Sequence, residues 1–273
     1  MKKSAWTTIA IVVVLTALSI FILLPFAWML SASLRTQGDL LGNPGSLWPQ
    51  QFTLANYIDI WHKIPFGRQF LNTVAFASVV SVCGVTLDSM AGYALARFEF
   101  RGRQIVFIVI MVTLMLPIQV TFVPVYSLLI DLGWVNHLQG LIVPRIADAF
   151  GIFFMRQFFL ALPKDLEDAA TIDGANQAQI FMRIMMPLAG SGLLTLLMFH
   201  FIANWNDLLW PLMVMTSSDM QTMPAGLALF KGQHTVEYGP LMAGAVMALA
   251  PIVVLFFFVQ RRFIEGIATT GLK

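Results

Sequence analysis

Long stretches without a single Asp, Glu, Lys or Arg set the pattern of this chain. They run between Lys3 and Arg35 (31 residues), Arg68 and Asp88 (19), Arg103 and Asp131 (27), Arg183 and Asp207 (23), and Glu237 and Arg261 (23). A helix that crosses a bilayer takes about 20 mostly apolar residues, so each stretch predicts one span. A sixth apolar stretch, "GLIVPRIADAFGIFFMRQFFL", is interrupted by Arg145, Asp148 and Arg156. The expected spans are 9–30, 72–96, 105–127, 139–160, 190–212 and 241–260, all in one transmembrane domain, 1–273. The architecture is an all-α polytopic membrane protein.

Basic residues test that count, because cytoplasmic flanks of membrane helices are enriched in Lys and Arg. With six spans and both termini inside, Lys2, Lys3, Arg97, Arg101, Arg103, Arg156, Lys164, Arg183, Arg261, Arg262 and Lys273 fall inside. Arg35, Lys63, Arg68 and Lys231 fall outside, and Arg145 sits within the fourth span. Without the fourth span, Arg183 and Lys164 would share a side with Asp131 and the Arg261-Arg262 pair would move outside. The first apolar run is twice as long as a signal-peptide core of about 7–15 residues, which predicts an uncleaved helix. Residues 31–69 and 213–240 are outer segments, the first rich in Pro, Gly, Asn and Trp and expected to be ordered or to form short interfacial helices.

Composition sharpens this picture by exclusion. Hydrophobic residues make up 58% and charged residues 11%, with mean hydropathy +0.79. A soluble domain carries about 25% charged residues, so an ordinary cytoplasmic enzyme and a disordered protein are excluded. The net charge of +2 is too small to track a phosphate backbone, which excludes a nucleic-acid partner. The single cysteine, Cys83, excludes a disulfide framework and a cysteine-based zinc site. No GxxxxGK[ST] phosphate loop and no His-Glu-x-x-His motif occurs, so the chain itself cradles no ATP and holds no such zinc. Neither a cofactor, a metal nor an enzymatic activity is expected of it.

The most informative stretch is cytoplasmic, "LPKDLEDAATIDGANQAQIFMRIMMPLAG", from Leu162 to Gly190. Pro163 ends the preceding helix. Asp165, Glu167 and Asp168 suit a helix N-terminus, and "LEDAATID" predicts a short helix that Gly174 closes in a left-handed conformation. Ile180, Phe181, Ile184 and Met185 give a second amphipathic stretch before Pro187. Two readings stand: a rigid helix–Gly–helix that docks a partner along its alanines, or an amphipathic linker resting on the membrane surface.

The residues carry a resemblance that bears on this choice. Binding-protein-dependent ABC import permeases have a cytoplasmic signature of Glu-Ala-Ala, three residues, Gly, nine residues, Ile, one residue, Leu-Pro. This chain has Asp168-Ala169-Ala170, Gly174, Ile184 and Met186-Pro187 at the same spacing, with Asp for Glu and Met for Leu. Glu167, Asp173 and Ala175 complete the "EDAATIDGA" form of the carbohydrate-uptake branch. "NTVAFASVVSV", "AGYALARFEFRGR", "RQFFLALP", "NWNDLLWPL" and the ending "QRRFIEGIATTGLK" also resemble that branch, in particular its maltose-type and glycerol-3-phosphate-type inner permeases.

The resemblance implies a type I ABC importer bundle in a bacterial inner membrane. It implies a second, homologous permease subunit, two ATPase subunits that bind ATP-Mg, and an external substrate-binding protein. It makes 163–187 the coupling segment, with Glu167, Asp168, Ala169, Ala170, Asp173, Gly174, Ala175, Ile184 and Pro187 as its ATPase-coupling residues. It also implies that the tail Thr269–Lys273 touches the ATPase dimer and that 216–239 reaches the binding protein. Alternating access, driven by ATP binding and reset by hydrolysis, is the implied mechanism for a sugar or sugar-like solute.

Intramembrane polar residues are expensive and usually face the bundle interior or a water-filled path. His200, Asn204, Asp207 and Pro211 recur at i, i+4, i+7 and i+11, which places them on one face of a continuous helix. They line a substrate route, or they hold the bundle together by interhelical hydrogen bonds. Asp88 is a gate or a helix contact, Arg145 and Asp148 are spaced to pair, and Pro117 and Pro124 are expected to kink the third span. An ion-coupled secondary transporter relaying protons through Asp88, Asp207 and His200 is the rival reading.

Overall fold

The computed structural model describes residues 5–233 and 237–270. Lys2, Lys3, residues 234–236 and residues 271–273 lie outside the described residues, as do the side chains of 261–270. In chain order the helices are α1 (Ala5–Ser33), α2 (Gln37–Gly42), α3 (Ala55–Lys63), α4 (Phe66–Arg97), α5 (Arg103–Leu114), α6 (Phe122–Asp131), α7 (Leu138–Ile142) and α8 (Ala149–Ala161). There follow α9 (Asp165–Ile172), α10 (Gln177–Ile180), α11 (Met186–Leu188), α12 (Gly190–Trp205), α13 (Leu209–Val214), α14 (Met223–Gln233) and α15 (Tyr238–Thr270). Short 3-10 turns cover Ile118–Thr121 and Val143–Arg145, and a π turn covers Phe181–Met185. The only β contact among the described residues is an isolated bridge between Arg35 and Phe52.

Among the described residues, three helices are each long and apolar enough to cross a membrane: Trp6–Ser33, Phe66–Arg97 and Tyr238–Phe258. Three bent pairs raise the number to six if each counts as one span: 103–114 with 118–131 (97°), 138–145 with 149–161 (41°), and 177–188 with 190–205 (78°). The first bend falls at Pro117, which lacks an N–H and disfavours helix at the residue before it. Pro124 makes no kink, contrary to expectation. It sits in the first turn of α6, where a missing N–H costs no helical hydrogen bond.

The chain divides into two compact units, Met1–Gly67 with Gly226–Pro251, and Arg68–Ala225 with Ile252–Lys273. In the first, α1 presents an apolar surface all round, with Phe21 at 75% and Trp6 at 80% exposure, as a lipid-facing helix requires. The predicted outer segment is ordered around Arg35, which is fully buried. Its guanidinium donates to both carboxylate oxygens of Asp39 (2.9 and 2.7 Å) and to the carbonyls of Asp39 (2.9 Å), Asn43 (2.8 Å) and Ser46 (2.9 Å). The bidentate pair and a backbone N–H from Gln50 (3.0 Å) hold the Asp39 carboxyl down at about 2, because each contact favours its charged form. The Asn56 amide donates to the carbonyls of Ser33 (2.9 Å) and Arg35 (2.8 Å), which fastens α3 to the end of α1. Lys63 pairs with Glu237.

The second unit has a core at each end. Tyr93, Met155, Phe159, Ile180, Met185 and Leu196 form one, beneath α9. Phe76, Val80, Leu129, Leu141, Trp210 and Val214 form the other. Asn136, at φ +63, turns the chain between α6 and α7. Its side-chain oxygen accepts from Thr216 N–H, Ser217 N–H and Ser217 hydroxyl at 3.0–3.1 Å, which ties that turn to the loop after α13.

Candidate functional site: the 163–187 segment and a buried polar cluster

The segment folds as its sequence predicts. Leu162 is the last cap of α8, and Pro163 follows it. α9 carries Asp165, Glu167 and Asp168 in its first turn. Gly174 takes φ +83. Its N–H donates to Thr171 O (3.1 Å) and that of Ala175 to Ala170 O (2.9 Å). These are the paired bonds of a Schellman ending, which a glycine in left-handed conformation permits. Asn176 and Gln179 then form a reciprocal capping box at 2.9 Å each, which starts α10 without slack. Pro187 has no N–H for the carbonyl four residues back, and the helix widens into the π turn at Phe181–Met185 just before it. Two defined helix ends and one glycine thus join α9 to α10.

The nine predicted coupling residues divide between two faces. Asp168, Ala169, Asp173 and Gly174 are exposed, with Ile172 at 87% exposure beside them. Pro187 is exposed, and Ala175 and Ile184 are half-buried. Glu167 and Ala170 turn inward and are buried. Glu167 pairs with Arg97 at 2.7 Å and accepts from the Tyr93 hydroxyl at 3.4 Å. Arg97 and Tyr93 are functional neighbours that no sequence signal identified, because each lies about 70 positions away on α4.

A second polar cluster lies deeper in the same unit. Asp88 of α4 is fully buried. One carboxylate oxygen meets His200 Nε2 at 3.0 Å and the other accepts from Asp148 N–H at 3.1 Å. Gly151 lies so close that a Cβ there would stand 1.9 Å from the Asp88 carboxylate. Asp148 does not pair with Arg145. It caps α8, accepting from Gly151 N–H at 3.3 Å, while Arg145 reaches Asp207 at 3.1 Å. Capping satisfies a helix N–H that would otherwise be unpaired.

The expected continuous stripe on span five is interrupted. α12 ends at Trp205 and α13 begins at Leu209. Asp207, in the break, accepts from Trp210 N–H at 3.3 Å. His200 and Asn204 are buried on α12, Pro211 is buried on α13, and Asp207 is half-buried between them. The Asn204 amide nitrogen donates to His200 O at 2.7 Å, while its oxygen is buried without a hydrogen-bond partner among the described residues. Among those residues no group of three metal-ligating side chains comes together.

The long apolar helices and the bent helix pairs are those of a polytopic α-helical membrane protein. The fold agrees with a solved structure of a bacterial ABC transporter involved in the import of the acidic polysaccharide alginate, with a TM-score of 0.84 and 21% identity over 96% of this chain and 99% of that one. Residues 88–268 match the family described as the binding-protein-dependent transport system inner membrane component, and the chain belongs to that family. It is therefore an inner-membrane permease subunit of an ABC importer, a family that works with ATPase and substrate-binding partners. It is similar to the arabinooligosaccharides transport system permease protein AraQ of Halalkalibacterium halodurans, 39% identical over 91% of this chain and 90% of that protein. It is also similar to the sn-glycerol-3-phosphate transport system permease protein UgpE of Escherichia coli, 33% identical over 90% of each. Nothing in these likenesses supports the ion-coupled secondary transporter.

Proposed function

We propose that this chain carries a sugar or sugar-like solute across the inner membrane by alternating access, and that ATPase movement enters it through 163–187. The observation that carries the coupling role is the two-faced α9. Its back is locked into the core through Glu167 and Ala170, while Asp168, Ala169, Ile172, Asp173 and Gly174 stand free. One small alanine, Ala169, and a glycine let a partner's cleft close on the helix, and an exposed isoleucine supplies an apolar contact. The solute class follows from relatives named for arabinooligosaccharides and sn-glycerol-3-phosphate.

In this proposal both termini are cytoplasmic, a second homologous permease completes the pathway, and two ATPase subunits bind ATP-Mg below. The external binding protein delivers solute near 216–239, and the C-terminal tail approaches the ATPases. Asn204, with its unpaired amide oxygen, and Asp207, in the break of span five, face the solute pathway. Irregular backbone at membrane depth is tolerated where it lines a cavity or is buried in protein, which favours that placement. Asp88 and His200 serve the pathway from behind, as the contact that joins its walls.

The test is reconstitution of the permease pair with its ATPases and binding protein. Ala169→Arg places a long cation where the cleft closes, and should abolish binding-protein-stimulated ATP hydrolysis while leaving membrane insertion intact. Undiminished stimulation would refute the coupling role. Identification of the solute that co-purifies with the binding protein tests the substrate class, and a solute that is neither a sugar nor a polyol derivative would refute it.

A further inference from the structure

α4 holds both ends of α8. At one end the Asp88 carboxylate accepts from Asp148 N–H at the α8 N-terminus (3.1 Å). At the other, Arg97 donates to the carbonyls of Phe159 (2.8 Å) and Leu162 (2.7 Å) at the α8 C-terminus. An anion at a helix N-terminus and a cation at its C-terminus both oppose the helix dipole and satisfy unpaired backbone groups. Asp88 and Arg97 are nine residues apart on α4, a rise of about 13 Å, against about 16 Å from Asp148 to Phe159, so the two staples fit nearly parallel helices. Between them the helices touch backbone to backbone. A Cβ on Gly92 would lie 2.8 Å from Arg156 N and 3.1 Å from Ile152 O.

Arg97 also forms an ion pair with Glu167 on α9, Nε to Oε1 at 2.7 Å, although neither atom is aligned for a hydrogen bond. Its side chain is about 10% exposed, so little water screens the pair. One guanidinium therefore bridges the end of α4, the end of α8 and the back of α9, and it spans the Leu162-Pro163-Lys164 junction where the chain would otherwise hinge. The Tyr93 ring packs against Phe159 (5.4 Å) and Phe181 (5.1 Å) beside it.

We infer that Arg97 is a positioning residue that makes α9, α4 and α8 one rigid body, so that displacement of α9 is delivered to the Asp88–His200 contact with span five. The inference rests on the proposed coupling role of 163–187. Two polar staples and one close glycine contact hold α8 to α4, and the Arg97–Glu167 ion pair ties α9 to both. A push on α9 then strains the His200 contact at 3.0 Å, where α12 meets the rigid body.

The experiment uses the full reconstituted transporter, with its binding protein purified together with its own bound solute. Arg97→Gln should leave the ATPase subunits co-purifying, because the exposed face of α9 is untouched. It should lower stimulated ATP hydrolysis about tenfold, the scale of one lost hydrogen bond to a charged group. Arg97→Lys, which keeps the charge but lacks the fork that reaches two carbonyls and a carboxylate, should recover part of that loss. Stimulation by Arg97→Gln within twofold of wild type would overturn the inference, as would loss of the ATPase subunits, which would make Arg97 a docking determinant. Ala169→Arg separates the two proposals. If it abolishes stimulation while Arg97→Gln does not, the coupling role stands and the rigid body falls; if neither variant changes stimulation, the coupling role falls. Should Arg97→Gln fail to assemble, Glu167→Gln, which keeps Arg97 and its bonds to Phe159 O and Leu162 O, gives the second measurement. Stimulation lowered several-fold with the ATPase subunits still co-purifying is expected, and stimulation within twofold of wild type would overturn the inference.

Discussion

Gly151→Ala tests the buried cluster through a single methyl group. Built on the backbone, that methyl stands 1.9 Å from the Asp88 carboxylate oxygen, 2.6 Å from its Cγ and 3.1 Å from its Cβ. Asp88 cannot swing into solvent, because it is fully buried. Either α8 withdraws from α4 or the carboxylate leaves its partners. Overpacking of this kind costs about 1–3 kcal/mol. Separating a buried carboxylate from His200 and the Asp148 N–H adds about 1.5–3 kcal/mol. The expected destabilisation is about 3 kcal/mol or more, a fall in melting temperature of roughly 6–12 °C on the scale of domains of 150–250 residues. Thermal unfolding of the purified transporter measures it. Gly190→Ala is the control, since nothing lies within 4 Å of a Cβ there. Asp88→Ala removes the obstructing carboxylate, so Gly151→Ala added to Asp88→Ala should cost far less than in the wild-type background, a non-additivity expected of contacting residues. A wild-type melting temperature for Gly151→Ala, or strict additivity with Asp88→Ala, would refute this packing.

Three further outcomes are expected. Asp39 has a lowered carboxyl pKa, so its contribution is present above the ordinary value near 3.8 and is lost as pH falls toward about 2; Asp39→Asn should flatten the loss of stability across that interval in acid unfolding, and an unchanged profile would count against the Arg35 lock. Arg35→Lys should destabilise the outer segment, seen as faster proteolysis of 36–52, because a single ammonium cannot replace five guanidinium hydrogen bonds. Asn136→Gly should keep the turn's backbone, at φ +63, while losing the three bonds to 216–217, and Asn136→Ala should cost more by about 1 kcal/mol because alanine resists that conformation; equal melting temperatures for the two would contradict the strain.

Much of the fold was legible because its signals are local. Charge-free runs mark the spans, since burying an ion in hydrocarbon is costly. The Gly174 ending was legible because few residues other than glycine take φ +83 without strain. The break in span five had local signals too: an acid at 207 ahead of α13, and Pro211 in that helix's first turn. Both suit a helix start, but the face geometry of an assumed continuous helix obscured them. Pairings distant in sequence were not legible. Arg145 has Asp148 three residues away and Asp207 sixty-two away, and it takes the second, because Asp148 is already committed to capping α8. The inward turn of Glu167 likewise depends on Arg97, which only the packing of α4 against α8 brings near. Within the coupling motif, spacing identifies the segment, and tertiary packing decides which of its residues a partner can reach.

Cross-linking from α9 to the ATPase tests the coupling role most directly. Single cysteines at 169, 170 and 173, in a Cys83→Ser background, would be treated with a short thiol reagent in the assembled transporter, against a cysteine placed in the ATPase cleft. Positions 169 and 173, which are exposed, should cross-link, and the yield should change with ATP. Position 170, which is 8% exposed, should not. Cross-linking at 170 equal to that at 169, or none from any of the three, would contradict the assignment of this helix as the place where the permease receives its energy.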